Sequence, residues 1–150
     1  MADVFSQIIS YFREEYKHFE VDDEHQSVRM QIQADSVVLK TRVQWDAEKT
    51  RVSFWVRDIM TIPELKREVA CVLINLINWG LAIADFEMDM EDGELMVNLT
   101  FFISDGTLGH EQIDDNLGTI INIANRFYPV FQKVIWADMS PKEALAMLDK

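Results

Sequence analysis

One cysteine, three prolines and five glycines in 150 residues leave little room for staples or glycine-rich loops. With Cys71 alone, no internal disulfide can form. Its setting, "REVACVLINL", is apolar and helical, which predicts a buried, inert thiol. Basic residues are also scarce: 14 Lys and Arg stand against 26 Asp and Glu, a net charge of −12. That field repels a nucleic-acid backbone or an anionic membrane, so neither is expected as a partner, although it leaves room for a local basic patch; the excess acid favours basic or amphipathic protein partners. Long apolar runs are missing. The longest, "VACVLI", falls far short of the ~20 residues that span a bilayer. The start, "MADVFSQIISYFREEY", has acids early and no signal-peptide core, so a cytoplasmic chain is expected.

The usual constellations of catalysis are missing too. His18, His25 and His110 lie far apart, none in a spacing such as H-x-x-x-H. No serine sits in a G-x-S-x-G elbow. "SDGTLGH" has neither a phosphate-loop lysine nor a dinucleotide fingerprint, and reads as the turn into a helix. His110 beside Glu111 reads as a surface pair in a helix's first turn. No catalytic, cofactor or metal residues are assigned.

What is present is a pattern. The 49% hydrophobic content supplies a core for one domain over residues 1–150. A chain this long buries roughly 70% of its extended surface. Residues 3–18 read as a helix, with Val4, Phe5, Ile8, Ile9, Phe12 and Tyr16 at helical spacing and Asp3 as N-cap. "EVDDEHQS" reads as a polar connector. "SVRMQIQ", "SVVLKTRVQW" and "RVSFWVR" alternate as strands, separated by short breaks, and make an antiparallel meander with one buried face. Thr61 with Glu64 fits a capping box for a second helix that ends at Gly80 as C′ residue. A hairpin over 83–104 follows, then a long helix over roughly 109–134, then a short helix from the "SPKE" cap at Ser140. The order α-β-β-β-α-β-β-α-α predicts an α+β fold: an antiparallel sheet of about five strands with helices packed on one face.

The hairpin "DFEMDMEDGELMVNL" raises the question of an acidic site. Asp92-Gly93 as a two-residue type I′ turn places Met90 opposite Leu95 and Phe86 opposite Leu99, with Asp85, Glu87, Asp89 and Glu91 together on the other face. With Gly93 sixth, a calcium loop would need acids where Met88 and Met90 stand. Carboxylates two residues apart on a strand spread over about 20 Å, too far to converge on one ion. A solvated face is preferred to a docking surface for a basic partner, and both to a metal site.

The helices differ as surfaces. The long one shows a single stripe: Ile113, Leu117, Ile120, Ile121, Ala124, Phe127, Tyr128, Phe131 and Ile135. Pro129 should kink it, on its polar side. On the second helix, Leu65, Val69, Val72, Leu73, Leu76, Ile77 and Trp79 read as the core stripe. Ala70 and Ile74 widen the apolar arc to roughly 220°, where an exposed helix shows little more than about 100°. The simplest second cover is another copy, which predicts a homodimer interface at Ala70, Ile74, Asn75 and Asn78. On the outward sheet face Val38, Trp55, Met96 and Phe102 stand beside Arg29, Lys40, Arg42 and Arg57 and are candidates for binding a partner protein, if strand order brings them together.

"LINLINWGLAIADFEMDMEDGELMVNL" followed by "NRFYPVFQKVIWADMSPKEAL" resembles the YbjN family of bacterial sensory transduction regulators. The shared features are an Asn in the second helix, the "D.EDG.L" hairpin, a late proline in the long helix and the "SP.EA" cap. Ala137 departs from the pattern, where a glycine is common. The resemblance implies a fold similar to type III secretion chaperones, small acidic dimers that bind extended segments of partner proteins. The functional expectation is a non-enzymatic cytoplasmic protein-binding homodimer, chaperone-like or regulatory, that captures a partner segment on a sheet edge or apolar groove. The competing expectation is a metal-dependent or enzymatic protein that uses the hairpin at 85–94.

Overall fold

The computed structural model describes residues 3–148. Helix α1 (Val4–Glu15) starts at Asp3, whose carboxylate accepts the Ser6 N–H at 2.7 Å. Then come β1 (Glu20–Asp22), β2 (Ser27–Gln33), β3 (Val38–Asp46) and β4 (Arg51–Thr61). After a 3-10 turn at Glu64–Lys66 follow α2 (Arg67–Gly80), β5 (Asp85–Met88), β6 (Glu94–Phe102), α3 (His110–Trp136) and α4 (Pro141–Ala146). The sheet is antiparallel in the order β1-β2-β3-β4-β6-β5.

The period-2 alternation acts as the sequence indicates. Val28, Leu39, Val43, Val52, Phe54, Val56, Leu95 and Val97 fill the inner face and are buried. Helix α1 packs on β2 and β3, and α3 lies across β3, β4 and β6. The α3 stripe holds from Ile113 to Ile135, with Val130 and Val134 joining it. The helix runs unbroken through Pro129. Tyr11, missing from the expected α1 stripe, is buried; its hydroxyl donates to Asp114 Oδ1 at 2.6 Å and ties α1 to α3. Loss of water and the Asp114 carboxylate push the phenol's pKa up.

The sheet has six strands, not five. The sixth, β1, lies in the stretch read as a connector. Three residues, two of them acids, carry no alternation to detect, and register against Ser27–Arg29 holds them. The Asp22 carboxylate, which accepts the His25 N–H at 3.1 Å, closes this hairpin. The Thr61 capping box does not form. Thr61 still belongs to β4, Ile62 is buried, and α2 begins six residues later with no side-chain cap. Strand β4 outruns its predicted end because a bulge intervenes: register shifts between Val56 and Met60, and Asp58 takes a φ of +48°. At its other end α2 includes Gly80, and Leu81 is the C-cap.

Candidate protein-binding surfaces

The acidic hairpin is built differently from a two-residue turn. Phe86 pairs with Val97 and Met88 with Leu95, two residues out of the expected register. The connection is a four-residue loop, Met90 to Gly93, closed by Gly93 N–H to Asp89 O at 2.7 Å. A shift of two keeps side-chain parity, so Phe86, Leu95 and Val97 still face inward, while Met90, displaced into the loop, is exposed. The reason lies in the acids themselves. Asp89 accepts the Glu91 N–H at 2.8 Å and Asp92 accepts the Glu94 N–H at 2.9 Å, two Asx turns that outcompete type I′. Gly93 sits at φ +81°, and a Cβ there would lie 2.1 Å from the Ile62 carbonyl oxygen. Arg67 clamps the loop from above, donating to the carbonyls of Ile62, Met90 and Glu91 at 3.1–3.2 Å.

Glu94 is committed as well. It accepts two hydrogen bonds from Arg57, at 3.1 and 3.2 Å, and one from the Asp58 N–H at 3.1 Å, which holds the bulge. The Arg57 guanidinium, ahead of the Asp58 amide, holds the Glu94 carboxyl below its usual range. Among the described residues no three His, Cys, Asp or Glu side chains are grouped to hold a metal ion. His110 pairs with Glu15 of α1 at 2.9 Å, so the Glu111 pairing gives way to a tie between helices.

Helix α2 is turned from the expected orientation: Leu73 and Ile77 of the predicted core stripe are buried as expected, but its edges are not. Ala70, assigned to the dimer face, is 0% exposed; with Leu73 and Ile77 it forms the buried stripe. Ile74 packs half-buried against the core. Asn78 points inward: its amide donates to the Phe86 carbonyl at 3.0 Å, and its Oδ1 accepts the Phe86 N–H at 2.9 Å. It thus satisfies the free side of edge strand β5. Of the four expected interface residues only Asn75 is exposed. Three of the seven residues read as core, Leu65, Val72 and Trp79, face solvent instead; Leu65 is 96% and Trp79 91% exposed. Cys71 is exposed too, against expectation, with its thiol 3.6 Å from the Met90 sulfur. Because α2 packs beside the sheet, on β5, α3 and α4, a narrow stripe suffices to seat it. The small Ala70 allows close approach, which no hydropathy count detects.

The four outward sheet residues do not meet in one patch. Trp55 of β4 and Met96 of β6 are diagonal neighbours, both half-buried. Val38 begins β3, while Phe102, 75% exposed, pairs with Arg51 beside the far end of β3. Eight residues of strand separate those two ends, about 26 Å.

The model of the family described as "Putative bacterial sensory transduction regulator", YbjN, matches residues 8–133. The chain belongs to the YbjN family. No curated relative matches it. Among solved structures it is similar to YbjN, "a putative transcription regulator from E. coli", with a TM-score of 0.59 and 14% identity over 83% of this chain and 92% of that one. It is similar to a chain of the ExsC-ExsE complex, with a TM-score of 0.57 and 16% identity over 85% and 95%. A chain of the HopA1-SchA chaperone-effector complex gives a TM-score of 0.56 and 14% identity over 79% and 88%. At such identities the likeness is one of fold, the type III secretion chaperone-like fold expected from sequence. The residues that carried the YbjN resemblance are structural. Gly93 seats the loop, Asn78 holds β5, and Ser140 caps α4 by accepting the Glu143 N–H at 3.2 Å. No helix among the described residues is long and apolar enough to cross a membrane.

Proposed function

We propose that this YbjN-family chain is a non-enzymatic, cytoplasmic protein-binding protein, chaperone-like or regulatory, that acts as a homodimer through the outer face of α2. One observation carries the reading: Val72 and Trp79, seven residues apart on α2, are exposed, and Leu65 in the 3-10 turn that leads into the helix is exposed as well. An uncovered apolar line at that spacing suits a second helix of the same kind, and a two-fold axis lets each copy supply it. The neighbours solved with partner proteins support protein binding as the habit of the fold, and because Ala70 and Asn78 turn inward, the proposed interface lies on the side of the helix opposite to the one expected from sequence.

Light scattering tests the dimer. Wild type at micromolar concentration is expected at twice the 17.5 kDa chain mass, and Trp79→Glu at the chain mass. A wild-type monomer overturns the homodimer. Native co-purification with mass spectrometry tests the broader reading; a chain that retains no specific partner counts against it.

A further inference from the structure

The outer sheet face gathers cations from three neighbouring strands. Arg29 of β2 stands directly opposite Arg42 of β3, and Lys40 of β3 directly opposite Arg57 of β4. Like charges facing across strands destabilise a sheet. In a chain of net charge −12, one open groove of about 810 Å3 is lined, among the described residues, by five Lys and Arg and by Glu20 and Asp58 as its only acids.

Three of the four sheet cations have a carboxylate nearby: Arg29 with Glu20 at 3.4 Å, Lys40 with Asp58 at 3.9 Å, and Arg57 with Glu94 at 3.1 Å. Arg42, at the centre, pairs with no carboxylate among the described residues, and its Nε is buried with no hydrogen-bond partner. Burial, then the guanidiniums of Arg29 and Arg57, lower its pKa. A buried guanidinium donor left unpaired is costly, and an oxyanion is the group that satisfies it best.

We propose that this face binds an extended acidic segment of a partner protein, whose carboxylates on alternate residues meet Arg29 with Arg42 in one row and Lys40 with Arg57 in the next. The two rows lie two residues apart along the strands, about 6.7 Å, which is the repeat of same-side side chains in an extended chain. Arg29 and Lys40 are about half exposed on an open face, so the site does not enclose a small anion as a ligand pocket does. Trp55, directly opposite Arg42, offers apolar surface beside the cations, and the Arg57 guanidinium lies 5.9 Å from its ring centroid. The proposal rests on the protein-binding reading for the class of its occupant, and not on the α2 dimer.

The probe is a fluorescein-labelled ten-residue peptide that alternates Glu with Ser and Val, followed by anisotropy at low ionic strength. Saturable binding is expected, weakened about tenfold or more by Arg42→Gln and by Arg29→Gln and unchanged by Lys142→Gln, which alters charge on α4. The Gln-for-Glu peptide is expected not to bind. The melting temperature of Arg42→Gln is expected to equal or exceed that of wild type, because repulsion is removed. Absent binding overturns the proposal. So does an equal loss in Lys142→Gln, which makes the effect one of bulk charge. Competition by inorganic phosphate as effective as by unlabelled peptide also overturns it, in favour of a small-anion site. A folded Arg42→Gln with a lower melting temperature and unchanged binding makes Arg42 structural and overturns it as well. A monomeric wild type that binds the peptide removes the α2 dimer and leaves this surface standing; a dimer that does not bind it does the reverse.

Discussion

Helices α2 and α3 are both amphipathic, yet they meet the fold in opposite ways. Helix α3 lies over the sheet and buries residues on every turn from Ile113 to Ile135. Helix α2 carries apolar residues around most of its circumference and buries Ala70, Leu73 and Ile77. The difference teaches that orientation is read from the polar side. On α3, Asp114, Asp115 and Asn122 mark solvent and leave one answer. On α2, Asn75 and Asn78 are the main polar guides, and one of them is turned inward by the backbone of β5. Hydropathy then misleads, because the seat is shaped by a small residue and an amide, while the largest side chain, Trp79, stays outside.

The strongest way to sharpen this contrast is a pair of aromatic truncations. Phe131→Ala on α3 removes a fully buried ring that packs 5.0 Å from Phe86, and is expected to cost about 3–5 kcal/mol in urea denaturation. Trp79→Ala, the larger truncation by volume, is expected to stay within about 0.5 kcal/mol in dilute solution. Comparable losses at the two sites would break the comparison. Next in size is Asn78→Ala. It leaves the Phe86 N–H and C=O without their partners and is expected to cost about 2–3 kcal/mol, with faster hydrogen exchange at Phe86 as the local signature. A surface asparagine would show neither effect.

The smallest effect lies at the hairpin that α2 clamps. Glu94→Gln is expected to lose about 1–2 kcal/mol at neutral pH. The Arg57 bonds, then the Asp58 amide, hold the folded carboxyl's pKa below its usual value. Its stabilisation is therefore complete above the ordinary carboxylate range and disappears as pH falls through the lowered folded value. The gap between wild type and Glu94→Gln should narrow in acid, measured by chemical denaturation across that window.

Much of this architecture is legible in the chain itself. Alternation in β2, β3 and β4 needs no context, because one sheet face is buried. The caps at Asp3 and Ser140 are local and form as written. What is not legible depends on groups far apart in sequence. Strand β1 exists through its pairing with β2. The Thr61 box loses to a strand that continues to pair with β6. The loop at Met90–Gly93 is decided by two aspartates that serve the backbone. The cationic rows were visible as residues, but their cross-strand pairing needed the register, and the scatter of Val38 and Phe102 needed the strand order.

The position of α3 has a consequence for how the protein is made. Strands β1 to β4 are joined by short turns to their neighbours, so their pairings close only small loops of chain. Their greasy underside, however, waits for a roof encoded at 110–136, and α1 waits for Asp114, more than a hundred residues downstream. Until the last third of the chain is synthesised, the growing polypeptide carries a half-finished sheet open to whatever sticks to it.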